Sequence, residues 1–490
     1  MADVVDLFLL TLGRPTETSD KLGGAQSLLS SACGTTENTP TLVSRTMLTF
    51  FRVTPVMSTK INRRTFHKAG AATTLALTAQ RTSTAAGAND RIRLGFIGVA
   101  NRGGQLIDAF MEHDDAEIVA LCDVDKRTLA QAKQKCGGSQ ATYGDFRKII
   151  ERDDIDAVVI AAPDHWHAIQ TIDACNAGKD VYVEKPLSVT IYEGRKMVEA
   201  ARRNKRVVQV GTHRRSSQLY KDLAERIQDD QFGKICLARA YRLSNMYPDG
   251  IGHRNATAPP SELDWDMWLG PRPTRSYQDN IAPYKFRWWQ SYSSQMGNWG
   301  VHYLDAIRWC CGELAPVSLC AMGGRFAADD DRTIPDTMEV TFQFASGRLA
   351  IFGQYETSQN PTLRSGEIEL RGTQGTLYVS ANGYEVVPEQ PGQFQSWQSG
   401  CKSETVDAAG TNAALTALHA RNFLDCMRSR QQPSADVEIG HRSTSLSLMA
   451  NISLAVGQRL EWDAQSERFT NSDEANQMLH YEYRDPWTLE

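Results

Sequence analysis

The fold is decided by the stretch RIRLGFIGVANRGG, residues 91–104. Its apolar run at 94–99 predicts a β-strand that leads through a turn of small residues into a helix. The spacing Gly98-x-Ala100-x-x-Gly103 matches the dinucleotide-binding fingerprint, with alanine in place of the middle glycine. That fingerprint needs a tight turn, a close backbone approach to pyrophosphate and close packing of helix on strand. Alone, the match favours a phosphate loop no more than a structural strand–turn–helix.

An acidic pair follows the fingerprint at the end of a second apolar run, residues 117–122. In a dinucleotide fold, an acid about 20 residues beyond the glycines binds the ribose 2′-hydroxyl. Asp123 and Asp125 would repel a 2′-phosphate, so NAD is favoured over NADP, with NADP kept as the alternative because Lys126 and Arg127 follow. Asp123 could also cap the next helix.

Predicted strands and helices alternate over residues 91–213. Apolar runs at 157–162, 181–183 and 207–210 predict strands buried on both faces, hence a parallel sheet. The alternation predicts a doubly wound Rossmann sheet, whose ligands bind at the carboxyl ends of the strands. The candidate cofactor-binding residues near such ends are Gly98, Ala100, Asn101, Arg102, Gly103, Asp123, Pro163, Asp164, His167, Glu184, Lys185 and Arg215.

The composition describes an ordinary globular chain of two domains plus extra segments. Of 490 residues, 41% are hydrophobic and 23% charged, and the net charge is −5. No basic segment interleaves with aromatic residues, which argues against nucleic acid as a partner. No apolar run approaches the ~20 residues that span a membrane. The ten cysteines form no CxxC pair or Cys/His ligand pattern, so no metal site is predicted.

The N-terminal region reads as a leader followed by an export signal. Residues 57–88 combine a basic segment, a short apolar run and an A-x-A pattern, as in a secretory signal peptide. The core Arg63-Arg64-Thr65-Phe66-His67-Lys68 resembles a twin-arginine motif. We therefore expect a periplasmic protein whose residues 1–56 are a disordered leader or an upstream mis-extension. The alternative is a chance basic linker in a cytoplasmic protein.

Residues 214–460 predict a second, α+β domain. Residues 337–344 alternate between apolar and polar side chains, and further strand-like segments follow, separated by glycines. This pattern predicts a large, mostly antiparallel sheet with one open face. The fold class is therefore α/β: a Rossmann domain at 91–213, the α+β domain at 214–460, and a polar tail with late aromatic residues at 461–490.

Four motifs together resemble the Gfo/Idh/MocA oxidoreductases: GFIGVANRG, PDHWHA, VEKP and VGTHRR. The resemblance spans about residues 91–490. It implies an NAD(P)-dependent oxidoreductase that transfers hydride to or from a sugar, inositol or related polyol, and that forms homo-oligomers through the open sheet face. It places Lys185 beside the nicotinamide and substrate, and it makes Lys185–Pro186 a candidate cis peptide. In the resembled exported members, similar tails cross the first domain or a neighbouring subunit.

The resemblance also implies a catalytic pair on a helix that opens near residue 296. Family members carry an acid four residues before a histidine, on one helical face. Here the histidine is His302, but the acid position holds Asn298. We predict His302 as general base, Lys185 as electrostatic partner and Asn298 as a positioning group. Asp305 either supplies the missing acid or pairs structurally, and His302 could instead be a hydrogen-bonded interface histidine.

An aromatic segment between residues 265 and 309 supplies substrate candidates. Aromatic faces stack on the C–H faces of sugars, which makes Trp299 a candidate, and Arg287 could bind hydroxyls or a carboxylate. The alternative is that these rings pack a long loop onto the domain. The tryptophans in this segment are Trp265, Trp268, Trp288, Trp289, Trp299 and Trp309.

Two other functions compete with the oxidoreductase. The first is a glycosidase of the same superfamily that uses tightly held NAD for transient oxidation. Those relatives typically lack the lysine of the EKP turn, so Lys185 argues against it. The second is a non-catalytic dinucleotide-binding protein, which is suggested by Ala100 and Asn298.

Overall fold

The computed structural model describes residues 90–407 and 412–489; the predicted leader and export signal lie outside these ranges. In the first of them, six strands form a parallel sheet in the order β3-β2-β1-β4-β5-β6, which is the Rossmann order. These strands are β1 Ile92–Ile97, β2 Ala116–Cys122, β3 Ala141–Tyr143, β4 Ala157–Ile160, β5 Asp180–Val183 and β6 Val208–Val210. The intervening helices are α1 Asn101–Met111, α2 Lys126–Lys135, α3 Arg147–Ile150, α4 His167–Asn176 and α5 Ile191–Arg203.

Helices cover both faces of this sheet. All residues of β4 and β5 are buried, and alternate residues of β1 enter different cores. Leu94 and Phe96 pack with α1 on one side, whereas Ile97 packs with α4 and α5 on the other. The predicted doubly wound sheet is therefore confirmed.

The second sheet has eleven strands in the described part of the chain, and all its pairings are antiparallel except β7 with β10. This confirms the predicted fold class. The strands are β7 Ile235–Asn245, β8 Pro316–Gly324, β9 Thr337–Phe344, β10 Leu349–Tyr355, β11 Thr357–Ser358, β12 Ile368–Gly372, β13 Gly375–Ser380, β14 Gly383–Pro388, β15 Glu404–Asp407, β16 Leu460–Asp463 and β17 Arg468–Phe469. The remaining helices are α6 Gln218–Gln228, α7 Trp265–Leu269, α8 Val301–Cys310, α9 Asn412–Ser429, α10 Val437–Val456 and α11 Asp473–Gln477.

The C-terminal helices return to the first domain. Phe423 and Leu424 of α9 are fully buried in the core formed by α1 and β1. Helix α10 lies so close to β6 that a Cβ on Gly440 would meet Val210 Cγ2 at 2.4 Å. The segment assigned from sequence to the second domain thus also completes the core of the first.

The tail crosses the first domain of its own chain, one of the two arrangements left open by the sequence. Tyr483 donates a hydrogen bond to Glu193 of α5. The Trp487 ring lies 4.7 Å from the Trp166 ring in an edge-to-face arrangement. No helix among the described residues is both long and apolar enough to cross a bilayer.

Candidate active site

The fingerprint loop forms a cradle at the N-terminus of α1. Gly98 has φ +81, and a Cβ there would lie 2.5 Å from the Ala162 nitrogen; a Cβ on Gly103 would lie 2.1 Å from the Gly98 oxygen. Ala100 has φ −71, which any residue adopts, and no side chain caps the helix. The free N–H groups of the first turn therefore face a cleft, as pyrophosphate binding requires. Asn101 and Arg102 line the same cleft.

Asp123 ties this loop to the end of β2. Its carboxylate accepts hydrogen bonds from the backbone N–H groups of Val99 and Asp125, both at 2.9 Å. Burial raises the pKa of Asp123. A carboxylate has about four acceptor sites, so this one keeps capacity for ribose hydroxyls. Asp125 caps α2 and pairs with Arg127 at 2.7 Å, which occupies the guanidinium that would otherwise attract a 2′-phosphate.

The long loop between β7 and β8 closes over the cleft on a core of its own. The Trp268 carbonyl accepts hydrogen bonds from His165 Nε2 and Trp166 Nε1, at 2.9 and 3.1 Å. Pro163 and Arg287 line the cleft beneath this loop. The packing interpretation therefore describes most of the aromatic residues, and the largest rings in the loop core are Trp265, Trp268, Tyr277, Phe286, Trp289 and Tyr292.

His167 and Asp164 have structural partners. The two ring nitrogens of His167 face the carbonyls of Pro186 and Ala162 at 2.8 and 2.9 Å. This leaves neither nitrogen for a cofactor. Asp164 is buried and accepts a hydrogen bond from Ser293 Oγ. Both residues therefore hold the loops after β4 and β5 in place, rather than lining the cofactor cleft as expected.

Arg215 and Asp305 bind each other. Both side chains are buried, and the Arg215 guanidinium meets the Asp305 carboxylate in a two-pronged ion pair at 2.9 to 3.0 Å. Ser443 Oγ also donates to Asp305 at 2.6 Å. The pairing favours the structural alternative for Asp305, and it occupies the Arg215 guanidinium away from the residues that line the dinucleotide cleft.

Lys185 lies at the end of β5, where the two domains meet. The Lys185–Pro186 peptide is cis, as expected. Lys185 Nζ donates to the backbone oxygen and to Oδ1 of Asn298, at 2.8 and 2.9 Å. Burial lowers the pKa of Lys185 to about 8, against the opposing charge of Glu184. Glu184 is in turn paired with Arg102 at 2.7 Å. This ion pair connects the first turn of α1, which carries the phosphate loop, to the residue before Lys185.

A directed chain of hydrogen bonds fixes the Asn298 amide. Asn298 Nδ2 donates to Gln295 Oε1 at 3.0 Å, and Gln295 Nε2 donates to Glu356 Oε1 at 2.7 Å. Buried Arg332 holds the Glu356 carboxylate at 2.6 Å. An ionised carboxylate only accepts hydrogen bonds. Gln295 must therefore point its NH2 group toward Glu356 and its oxygen toward Asn298, and Asn298 must point its NH2 group toward Gln295 and its oxygen toward Lys185. The sequence motifs did not reveal Gln295 or Glu356, because the hydrogen bond between them joins residues that are far apart in the sequence.

A π-helical turn, Met296–Gly300, precedes α8. Such single turns are often found at functional sites. The predicted helix thus begins at Met296 as expected, but its first turn is π-helical rather than α-helical; the Asn298 and His302 side chains both lie next to Lys185. The inserted turn brings the Asn298 backbone oxygen to Lys185 Nζ.

His302 shares a cleft with Lys185, Trp299 and Arg242. Burial lowers the pKa of His302 well below its usual value, and the neighbouring Lys185 charge lowers it further. The imidazole is therefore neutral, and protonating it next to an ammonium is unfavourable. These electrostatics favour Lys185 over His302 as the group that exchanges a proton.

The fold and cleft define a dinucleotide-binding Rossmann domain followed by an α/β domain. Three family models match in series: "Oxidoreductase family, NAD-binding Rossmann fold" at 92–212, "GFO/IDH/MocA C-terminal domain" at 220–378 and "Oxidoreductase family, C-terminal alpha/beta domain" at 399–489. The chain belongs to the Gfo/Idh/MocA family.

Two kinds of known protein resemble the chain. It is 36% identical over 128 residues to a glycosyl hydrolase family 109 protein of Shewanella pealeana, a match that covers 24% of this chain and 27% of that relative. A levoglucosan dehydrogenase in complex with NADH and levoglucosan superposes with a TM-score of 0.59 at 18% identity, covering 76% of this chain and 99% of the other. An aldose-aldose oxidoreductase from Caulobacter crescentus gives 0.57 at 16%, with the same coverage.

The exposed methyl group of Ala100 provides a test of the cofactor cradle. A glutamate at position 100 would place a carboxylate at the helix N-terminus where the pyrophosphate binds. We expect Ala100→Glu to weaken NADH binding at least tenfold without lowering the melting temperature. Fluorescence titration with NADH measures the first effect and calorimetric unfolding the second.

The matched control is Ala130→Glu, which changes an exposed alanine on α2. It should leave NADH affinity unchanged. Equal affinities for the wild type and Ala100→Glu would show that this loop does not hold the pyrophosphate.

Proposed function

We propose that the protein is an NAD-dependent oxidoreductase that interconverts an alcohol and a carbonyl on a sugar, inositol or related polyol. NAD supplies the hydride acceptor or, when reduced, the hydride donor. The observation that carries the proposal is the Lys185 amine, held by Asn298 in a cleft that shares Arg102 with the dinucleotide cleft. The solved sugar dehydrogenases of this fold support the substrate class.

Lys185 Nζ holds the proton that leaves or joins the substrate hydroxyl. A group with a pKa of about 8 is well placed to exchange protons near neutral pH. For oxidation the neutral amine accepts the hydroxyl proton; for reduction the ammonium donates it. Neutral His302 orients the hydroxyl by a hydrogen bond. Asn298 fixes the position of the amine without locking it in the charged state, as a carboxylate would.

A NAD-dependent glycosidase is the second candidate, and the family 109 match favours it. Lys185 argues against it, because the resembled glycosidases typically lack the lysine of the EKP turn. Denaturing the purified protein and measuring released nicotinamide absorbance tests both enzymes and the non-catalytic alternative. NADH formation with sugars supports the oxidoreductase. Cleavage of an aryl glycoside without net NADH formation supports the glycosidase, and failure to bind any nicotinamide cofactor supports the non-catalytic protein.

Removing the Lys185 amine tests the oxidoreductase directly. We expect Lys185→Ala to lower the rate of hydride transfer by about 10²–10⁴-fold, the usual contribution of a positioned acid or base. NADH affinity should stay within about threefold, because Glu184 keeps its partner Arg102. Stopped-flow absorbance and NADH titration measure the two quantities. Lys148→Ala, at an exposed lysine on α3, is the control, and an unchanged rate in Lys185→Ala contradicts the proposal.

The pH dependence of oxidation tests the role of Asn298. Since the neutral amine is the active form, kcat/KM should rise with pH with a midpoint near 8. Asn298→Asp places an anion beside the ammonium and should move the midpoint to higher pH. Asn298→Ala removes one acceptor and should move it to lower pH. A midpoint that stays fixed, or that moves in one direction for both variants, contradicts the assignment.

Export and assembly are further parts of the proposal. The twin-arginine-type sequence at 57–88 supports a periplasmic location. The exposed side chains of Val317 and Met322 on β8 support a subunit contact through the open face of the second sheet.

One expression experiment tests both parts. The full chain should appear in the periplasmic fraction, and Arg63→Lys combined with Arg64→Lys should retain it in the cytoplasm. Light scattering of the purified protein should give a mass of at least two chains. Equal fractionation of both forms contradicts the export signal, and a monomeric mass contradicts the assembly.

A further inference from the structure

An arginine occupies the inner face of a central strand. Side chains alternate along β7, and Ala238 and Ala240 are fully buried on the face that packs against the helices. Arg242 continues this face by the same period of two. Its side chain is half-buried and reaches the cleft that contains Lys185 and His302.

Within the described ranges, no acidic side chain pairs with Arg242. Its guanidinium lies over the Trp299 ring, with Cζ 3.8 Å from the ring centroid. Other arginines nearby have carboxylate partners: Arg239, on the opposite face of the same strand, pairs with Glu369, and Arg214 pairs with Glu367, each at 2.6 Å. Arg242 is thus a fixed positive charge that faces the substrate cleft.

We propose that Arg242 binds the carboxylate of an acidic sugar, a uronate or an aldonate, and thereby presents one of its hydroxyl groups to Lys185. The inference rests on the proposed function, since it names the substrate class of the same cleft. Contact with Trp299 occupies one face of the guanidinium and leaves its N–H edges available. Those edges match a carboxylate in a two-pronged geometry.

The charges around the cleft favour a monoanion. Glu184 is neutralised by Arg102, and Glu367 by Arg214. Asp108 at the rim is paired with Lys135 at 2.7 Å, whereas Glu112 at the same rim has no such partner among the described residues and would repel additional negative charge. Arg242 therefore matches the single charge of a carboxylate better than the double charge of a phosphate monoester.

Isothermal titration of the full-length protein with NADH bound tests the inference. The ligands are matched pairs of acid and neutral compound: D-glucuronate with D-glucose, D-galacturonate with D-galactose, and D-gluconate with D-glucitol. D-glucose 6-phosphate is the dianionic comparison. We expect at least one acid to bind ten times more tightly than its neutral partner and more tightly than the phosphate. Arg242→Gln should abolish this preference while leaving neutral-sugar affinity within about threefold.

Two further variants keep the test decisive. Arg242→Lys retains the charge but not the two-pronged geometry, so it should keep only part of the preference, and it serves in place of Arg242→Gln if that variant does not fold. Arg239→Gln, on the opposite face of β7, should retain the full preference. The inference is overturned if no acid is preferred, if nothing binds, if the phosphate binds best, or if Arg242→Gln keeps the preference.

A separate assay distinguishes this inference from the proposed function. NADH formation from NAD⁺ is followed with the acid and neutral compounds. Turnover of the neutral sugars at least as fast as that of the acids, with neither rate altered in Arg242→Gln, supports the oxidoreductase and overturns the acidic substrate. If acids bind preferentially through Arg242 but no compound yields NADH, the proposed oxidoreductase activity is overturned and the carboxylate-binding site is retained.

Discussion

The site depends on one hydrogen-bonded contact across the two domains, between the Lys185 amine and Asn298. A buried amine without partners would be strongly destabilised as a cation, whereas one paired with a carboxylate would hold its proton firmly. An amide oxygen and a backbone carbonyl lie between these limits. They orient the amine, while burial lowers its pKa to about 8. The asparagine in a position where the family carries an acid is therefore compatible with proton exchange, provided that its oxygen faces the lysine.

Residues that do not contact Lys185 hold the Asn298 oxygen toward it. Glu356, held by Arg332, orients Gln295, which orients Asn298. The buried Arg215–Asp305 pair fixes the end of the first domain against α8. Removing one partner of such a pair costs about 3–5 kcal/mol. The contact at Lys185 is thus maintained by polar groups that never touch substrate.

Local sequence patterns were sufficient for the sheet and the phosphate loop, because both depend on neighbours in the chain. Gly98 and Gly103 stand where a Cβ would collide with backbone, and the strand periodicity of Thr337–Phe344 is preserved in the structure. Strand β8 was missed because its small and mixed residues do not alternate. His167 and Arg215 were assigned to the site because their motifs adjoin strand ends, and Asp305 because it follows His302 by three residues on the same helix, but tertiary partners bind all three. Arg242 belongs to no sequence motif. It stands out only in the structure, where no carboxylate among the described residues pairs with it.

The titration of Lys185 itself tests the account most directly. Heteronuclear NMR of the protein with labelled lysine side chains, with the Lys185 signal assigned by its loss in Lys185→Ala, reports the pKa without any substrate. We expect a pKa near 8 for Lys185, well below that of the exposed lysines. A value near 10.5, the ordinary value of a lysine, would show that the amine is a permanent cation and would contradict its assignment as the proton-exchanging group.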